Sequence, residues 1–138
     1  MSPLRSRFAE APVARLASVR PDGSPHLVPV TFALLDEEQI VFAVDHKPKS
    51  TNDLTRLANI AAEPRVSFLV DSYDDDWTEL WWVRVDGLAH VLDDATEGDA
   101  RATALDALAA KYRQYRDVRP AGPVVSTEIT RWVEWAYR

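Results

Sequence analysis

Residues 80–92 alternate with a period of two across the whole segment, and this constrains the fold more than any other feature of the chain. Val83, Val85, Gly87, Ala89 and Val91 fall on one side, and Arg84, Asp86, Leu88 and His90 on the other. That is the period of a pleated strand and not of a helix. At its start stand Trp81 and Trp82, adjacent and therefore pointing to opposite faces. Both faces of this long strand have to be covered, one by the chain's own core and the other by something else. A partner subunit would serve. With 138 residues there is material for one core, so the expectation is a single domain over residues 1–138, built mainly of strand.

The rest of the chain fits this frame. Residues 3–11 read as a short helix, with Leu4, Phe8 and Ala11 at helical spacing and Pro12 ending it. Residues 13–19 alternate, with Ala14, Leu16 and Ser18 on one face. Arg20-Pro21-Asp22-Gly23-Ser24 is turn chemistry, and a strand returns from His26 to Leu34, which predicts an antiparallel hairpin over 13–34. Pro25 and Pro29 cannot donate ladder hydrogen bonds, so this strand belongs at an edge, or beside a ligand that uses its backbone. A turn at Asp36-Glu37-Glu38 leads to a strand over 39–45, and a helix over 50–61 carries Leu54, Leu57, Ala58 and Ala61 as its apolar stripe. A strand follows at 65–71, then an acidic loop at 72–76. Residues 95–116 read as a second amphipathic helix, with Leu105, Leu108, Ala109, Tyr112 and Tyr115 on its buried side, and residues 124–137 supply one or two final strands. Six or so strands joined by short turns, with two substantial helices, predict a mainly β (α+β) fold: an antiparallel barrel whose openings are covered by helices.

Composition removes several function classes. There is no cysteine, which excludes disulfides, thiolate metal sites and a cysteine nucleophile. Sixteen Lys and Arg against 22 Asp and Glu give a formal charge of −6, which argues against a nucleic-acid partner. No segment reaches the length of a membrane span and the first sixteen residues lack a signal-type apolar run, so the expectation is a cytoplasmic protein with no membrane partner. The acidic run Asp71 to Asp76 lacks the calcium-loop pattern, and His26, His46 and His90 sit on separate elements without ligand spacing, so no metal is expected. Phosphate-loop, dinucleotide and nucleophile-elbow patterns are absent. Any difficult chemistry would then belong to a bound cofactor.

One island of positive charge stands out against the acidic background. Lys47, Lys49, Ser50 and Thr51 lie just after one strand and at the start of a helix. Two readings are open for them. Lysines after a strand are often solvating charges, and Ser and Thr are ordinary helix caps. The same groups, together with the free N–H groups of a helix start, also make a seat for a phosphate. His46 adjoins this turn, and the strand from His26 to Phe32 could hold a flat ring against its backbone.

The order ARLASVRPDGSPHLVPVTFALL, IVFAVDHKPKS, LANIAAEPRVSFLVD and DDDWTELWWVRVDGLAHVL resembles the flavin/deazaflavin oxidoreductase superfamily, split β-barrel proteins similar to pyridoxamine 5′-phosphate oxidases. KPKS with the DDDW and LWWVRVDG segments is similar to small actinobacterial members described as F420-dependent. The resemblance covers roughly residues 8–92 well and the C-terminal third in general layout. It implies an FMN-binding type of split barrel and a homodimer with two cofactor sites at the subunit interface. The ring would lie along Val28, Pro29, Val30 and Thr31, and the phosphate tail would meet Lys47, Lys49, Ser50 and Thr51. From the partner, Trp77 and Trp81 would close the pocket. Arg56 and Arg65 would extend a cationic groove for a longer acidic tail. The implied activity is hydride transfer from F420 to a small unsaturated or carbonyl-conjugated substrate. The alternatives are an FMN-dependent oxidoreductase and a non-catalytic protein that binds F420, flavin or haem-derived ligands. The lysines depart from the arginine clusters of pyridoxamine-phosphate oxidases proper, which counts against vitamin B6 oxidation.

Overall fold

The computed structural model describes residues 1–44 and 51–138, with 51–54 described by backbone alone. Its elements are α1 (Pro3–Glu10), β1 (Ala14–Val19), β2 (Pro25–Val30), β3 (Ala33–Leu35), β4 (Gln39–Ala43), α2 (Thr51–Ala62), β5 (Arg65–Ser72), β6 (Trp81–Val91), α3 (Gly98–Lys111), α4 (Arg113–Asp117) and β7 (Val124–Ala136). A 3₁₀ turn at Trp77–Glu79 precedes β6. The strands form one seven-stranded sheet in the order β2-β1-β5-β6-β7-β4-β3, with every neighbouring pair antiparallel.

That order determines the shape. Directions alternate across an antiparallel sheet, so the two outermost strands, β2 and β3, run the same way. They are also consecutive in the chain, separated only by Thr31 and Phe32. Residues 25–35 are therefore one extended course that leaves the edge of β1 and joins the edge of β4. The sheet curls until its two edges meet in this course, giving a half-open antiparallel barrel with flanking helices, the split-barrel fold.

The hairpin expected over residues 13–34 is correct only as far as Val30. β1 pairs with β2 from Ala14↔Val30 to Val19↔Pro25, and Gly23 takes φ +87° in the connecting turn. Beyond Val30 the chain changes partner, pairing Ala33 with Val41 and Leu35 with Gln39. The turn after Leu35 places Asp36 and Glu37 at φ 51° and 59°, the left-handed pair that matches the twist of a tight hairpin.

Inside the barrel lie Leu16, Phe32, Ile40, Phe42, Phe68, Val83 and Val85, each fully buried. α1 closes one end: Phe8 packs 5.0 Å from the Phe32 ring and 5.4 Å from Trp132, centroid to centroid. A second cluster, including Val41, Leu92, Ala104, Leu108 and Val124, joins α3 to the outer side of β3, β4 and β7. β4 is thus covered on both faces, which explains its unbroken apolar run. β7 is one strand of 13 residues. Opposite it, the β6 ladder slips at Gly87, where a Cβ would meet the Glu128 carbonyl oxygen at 2.5 Å.

Two helix expectations are corrected. In α2, Ala58 and Ala61 are exposed, while Asn59 and Ile60 are buried and Leu57 half-buried. The helix crosses the barrel mouth on its 56/59/60 side, with the Arg56 guanidinium 5.9 Å from the Phe42 ring. The long helix expected over 95–116 is broken at Tyr112, which is extended (φ −115°, ψ 122°) between α3 and α4. The break lets the Tyr112 hydroxyl reach the split. It accepts a hydrogen bond from the Phe32 amide at 3.0 Å and has the carbonyl oxygens of Pro12 (2.8 Å) and Phe32 (3.0 Å) as acceptors for its proton. Pro12 precedes β1 and Phe32 follows β2, so one side chain ties both ends of that hairpin at the seam. Replacing Tyr112 by Phe leaves a buried amide unsatisfied and should cost about 1–3 kcal/mol, read as a lower urea midpoint with unchanged slope.

Candidate functional site

The site expected from the sequence has a ring end on the strand at 28–31 and a tail end at the basic turn. β2 is an edge strand, as its two prolines require. Its His26, Val28 and Val30 side chains turn inward, and Leu27 and Pro29 outward. Among the described residues the side of β2 away from β1 has no strand partner, because β4 is matched by β3 only at 39–41. In the described chain the split therefore leaves an opening in the barrel wall, bounded by the free edge of β2 and by the last residues of β4. Val44, directly after β4, donates its amide to the Pro123 carbonyl at 2.8 Å.

The alternation of strand directions sets the start of β2 and the end of β4 at the same end of the barrel, and α2 crosses that end. The turn carrying Lys47, Lys49 and Ser50, with His46, lies outside the described residues, as does the side chain of Thr51. The described chain brackets it, entering at Val44 and leaving at the first residue of α2. Val28 is half-buried, Pro29 exposed and Val30 buried. Thr31, at the far end of the opening, shares a 3.2 Å hydrogen bond with the Tyr115 hydroxyl. Arg65, suggested as an extension of the groove, pairs instead with Glu63 at 2.6 Å.

Trp77 and Trp81 are not brought to the opening within one chain. Trp77 stands on the 3₁₀ turn and is 71% exposed. Trp81 leans on the barrel core, with the Arg7 guanidinium 5.6 Å over its ring. Both lie at the α1 end and across the barrel from β2, so only a second copy could bring them to this opening. Asp74 and Asp76 serve their own loop: Asp74 accepts from the Asp76 amide at 2.8 Å, and Asp76 from the Thr78 amide at 3.0 Å. His90 pairs with Glu97 at 3.0 Å. Among the described residues no group of three or more His, Asp or Glu side chains is placed to hold a metal ion.

Some polar residues around the opening carried no sequence signal. His26 is buried, and burial pushes its pKa below the usual histidine value, with the cations Arg20 and Arg56 adding to the shift. Both effects favour the neutral imidazole. At the seam, Lys111 places its ammonium nitrogen 3.8 Å from the centre of the Phe32 ring, and burial lowers its pKa to about 8. The contact spans almost 80 positions of sequence, and the periodicity of α3 does not announce it. Because the folded chain releases this proton more readily than the unfolded one, the charged form costs stability. That cost is present in full below pH 8 and is relieved as pH rises toward the ordinary lysine value near 10.4. Lys111→Met should abolish this rise, so the wild type should gain stability on the variant between about pH 8 and 10 in paired unfolding curves.

Known proteins agree with this architecture. A family model described as pyridoxamine 5′-phosphate oxidase matches residues 3–136. No curated protein sequence matches the chain. Among solved structures, the conserved hypothetical protein Rv2991 from Mycobacterium tuberculosis is similar with a TM-score of 0.74 and 24% identity, covering 100% of this chain and 86% of that one. A FAD-binding protein from Mesorhizobium loti is similar with a TM-score of 0.67 and 22% identity over 97% of this chain and 94% of its own. A structure described as an F420 reductase has a TM-score of 0.65 and 24% identity over 96% and 98% respectively. Sheet order, split and family match converge: the chain belongs to the pyridoxamine 5′-phosphate oxidase family of split-barrel proteins.

Proposed function

We propose that this protein is an oxidoreductase that binds the deazaflavin coenzyme F420 in the wall opening and acts on a small unsaturated or carbonyl-conjugated substrate. The observation that carries this reading is the convergence of the unpaired β2 edge with the point where β4 hands the chain to the basic turn and α2. An unpaired strand edge offers backbone N–H and C=O groups to the polar rim of a flat ring, and a helix start offers N–H groups to a phosphate. Lys47 and Lys49 would act on that phosphate as point charges, which suits an extended, flexible tail. When bound, the reduced coenzyme supplies the hydride. The chain's own part is to orient the ring along Val28, Pro29, Val30 and Thr31, to exclude water and to fix the phosphate. The likeness to a structure described as an F420 reductase supports the choice of coenzyme.

FMN on the same residues is the second reading. The description of the family and the likeness to a FAD-binding protein favour it. Fluorescence titration of the full chain with F420 and with FMN separates the two. Submicromolar F420 affinity with weaker FMN binding is the expected result, and the reverse order would transfer the function to FMN. Lys49→Ala should weaken binding of the preferred coenzyme by about 1.5–3 kcal/mol. Unchanged affinity would return Lys49 to a solvating role.

A homodimer completes the reading. The outer sheet face presents Leu27, Leu69, Leu88 and Trp135, all at least 36% exposed, beside half-buried Trp82. Arg84, Asp86 and Ser67 form a hydrogen-bonded network among them, so this face offers a partner both apolar and charged contacts. A second copy placed there could carry Trp77 or Trp81 to the opening. Leu27→Asp combined with Leu69→Asp should halve the mass measured by light scattering and weaken coenzyme binding with it. A dimer that persists in this variant would put the interface elsewhere.

A further inference from the structure

The α2 end of the barrel holds a polar cluster that the proposed function does not use. Ser18 and His26 are direct cross-strand partners on the inward face of β1 and β2. They are 2% and 6% exposed. Ser18 Oγ and His26 Nδ1 are buried and make no hydrogen bond among the described residues. From α2, Asn59 adds a third such atom, Nδ2, on a residue only 1% exposed. Asn59 lies one turn beyond Arg56, whose charge reaches His26, and α2 packs against β1. Buried polar atoms are normally satisfied, and a neighbouring Ser–His pair without partners, under a helix that buries a third such atom, marks a place shaped for something else.

Position and chemistry identify the ligand group. His26 is one pleat before Val28 on the same face of β2, about 6.6 Å along the strand. Val28 belongs to the ring end of the proposed groove, and α2 starts at its phosphate end, so the cluster lies between the two. A hydroxyl, a neutral imidazole and a carboxamide can each both donate and accept. That repertoire matches a row of alcohol groups and not a phosphate, which would call for cations. In both F420 and FMN a hydroxylated carbon chain joins ring to phosphate. We propose that Ser18, His26 and Asn59 form the subsite for this polyol linker. The assignment rests on the coenzyme reading of the opening.

The test turns on two ligands that share one ring and differ in the linker. Riboflavin carries ring and polyol without phosphate, and lumiflavin carries the same ring with a methyl group in place of the polyol. Their affinities, with those of FMN and F420, are measured by fluorescence on the full wild-type chain and on Ser18→Ala, His26→Phe and Asn59→Leu. Expected is a loss of roughly tenfold or more for riboflavin and for the preferred coenzyme, with lumiflavin affinity unchanged. The ligand-free variants should melt no lower than the wild type, because an unpaired buried polar group has been removed. Equal losses for lumiflavin and riboflavin, or no loss for either, would overturn the subsite. Ser18→Ala deletes a single atom and keeps the test open if the larger changes do not fold. A wild type that binds neither FMN nor F420 would overturn the coenzyme reading itself, and the subsite with it.

Discussion

The fold depends on one constraint: a single extended course, residues 25–35, serves as the edge of two different strands. An antiparallel sheet of seven strands has two outer edges, and each exposes backbone groups that need partners. Here the two edges are successive halves of one stretch of chain. β2 uses its hydrogen bonds on β1, β3 uses its own on β4, and neither serves the other's neighbour. Closure is therefore complete in connectivity and incomplete in hydrogen bonding. The deficit falls on residues 27–32 on one side and on the end of β4 on the other. Where the deficit is buried, at Phe32, the protein meets it with the Tyr112 hydroxyl. Where it opens outward it becomes the candidate site.

This explains why a helix remote in sequence matters at the seam. α3 and α4 are joined at a residue whose backbone is extended, and the break aims Tyr112 and Tyr115 at Phe32 and Thr31. Lys111, the last residue of α3, covers the Phe32 ring. The C-terminal third is thus the clasp on a split formed by the N-terminal third.

Much of the fold could be read from local pattern, because strands with one wet and one dry face print their period on the sequence. The two faces of β6, the edge character forced by Pro25 and Pro29, and the turn at Gly23 all have local causes. What escaped is non-local. Nothing near Val30 signals that the strand changes partners two residues later, since the alternation continues through the switch. Nothing within α2 signals that Asn59 and Ile60 face inward while Ala58 and Ala61 face out. Alanine is compatible with either environment, and the choice was made by the barrel mouth beneath the helix. Tyr112 read as one more apolar position of an amphipathic helix, because its hydroxyl's partners lie 80 and 100 positions away. For the candidate site, the edge strand was legible from its prolines. That β2 starts and β4 ends at one end of the barrel is a property of sheet order.

The two ends of the barrel differ in a way that separates stability from function. At the α1 end, Phe8 meets Phe32 and Trp132 in an aromatic plug, and Arg5 stacks on Trp132 while pairing with Glu37 and Glu134. The Trp132 indole N–H donates to the Glu37 carbonyl, and the rings pack on one another, as expected of an end whose task is to close. At the α2 end the helix turns Arg56 and Asn59 inward beside Ile60, over a wall that contributes Ser18 and His26. An apolar side chain at any of these positions would seal the mouth at least as well and remove the desolvation cost of a polar one. Closure and hydrophobic burial, then, account for Phe8, Phe32 and Trp132 at the other end but not for the residues chosen at this one. The polar end is also the one where the chain leaves β4. A mouth that is costly to the empty fold, at the end where β2 starts and β4 finishes, is where the proposed coenzyme would repay that cost.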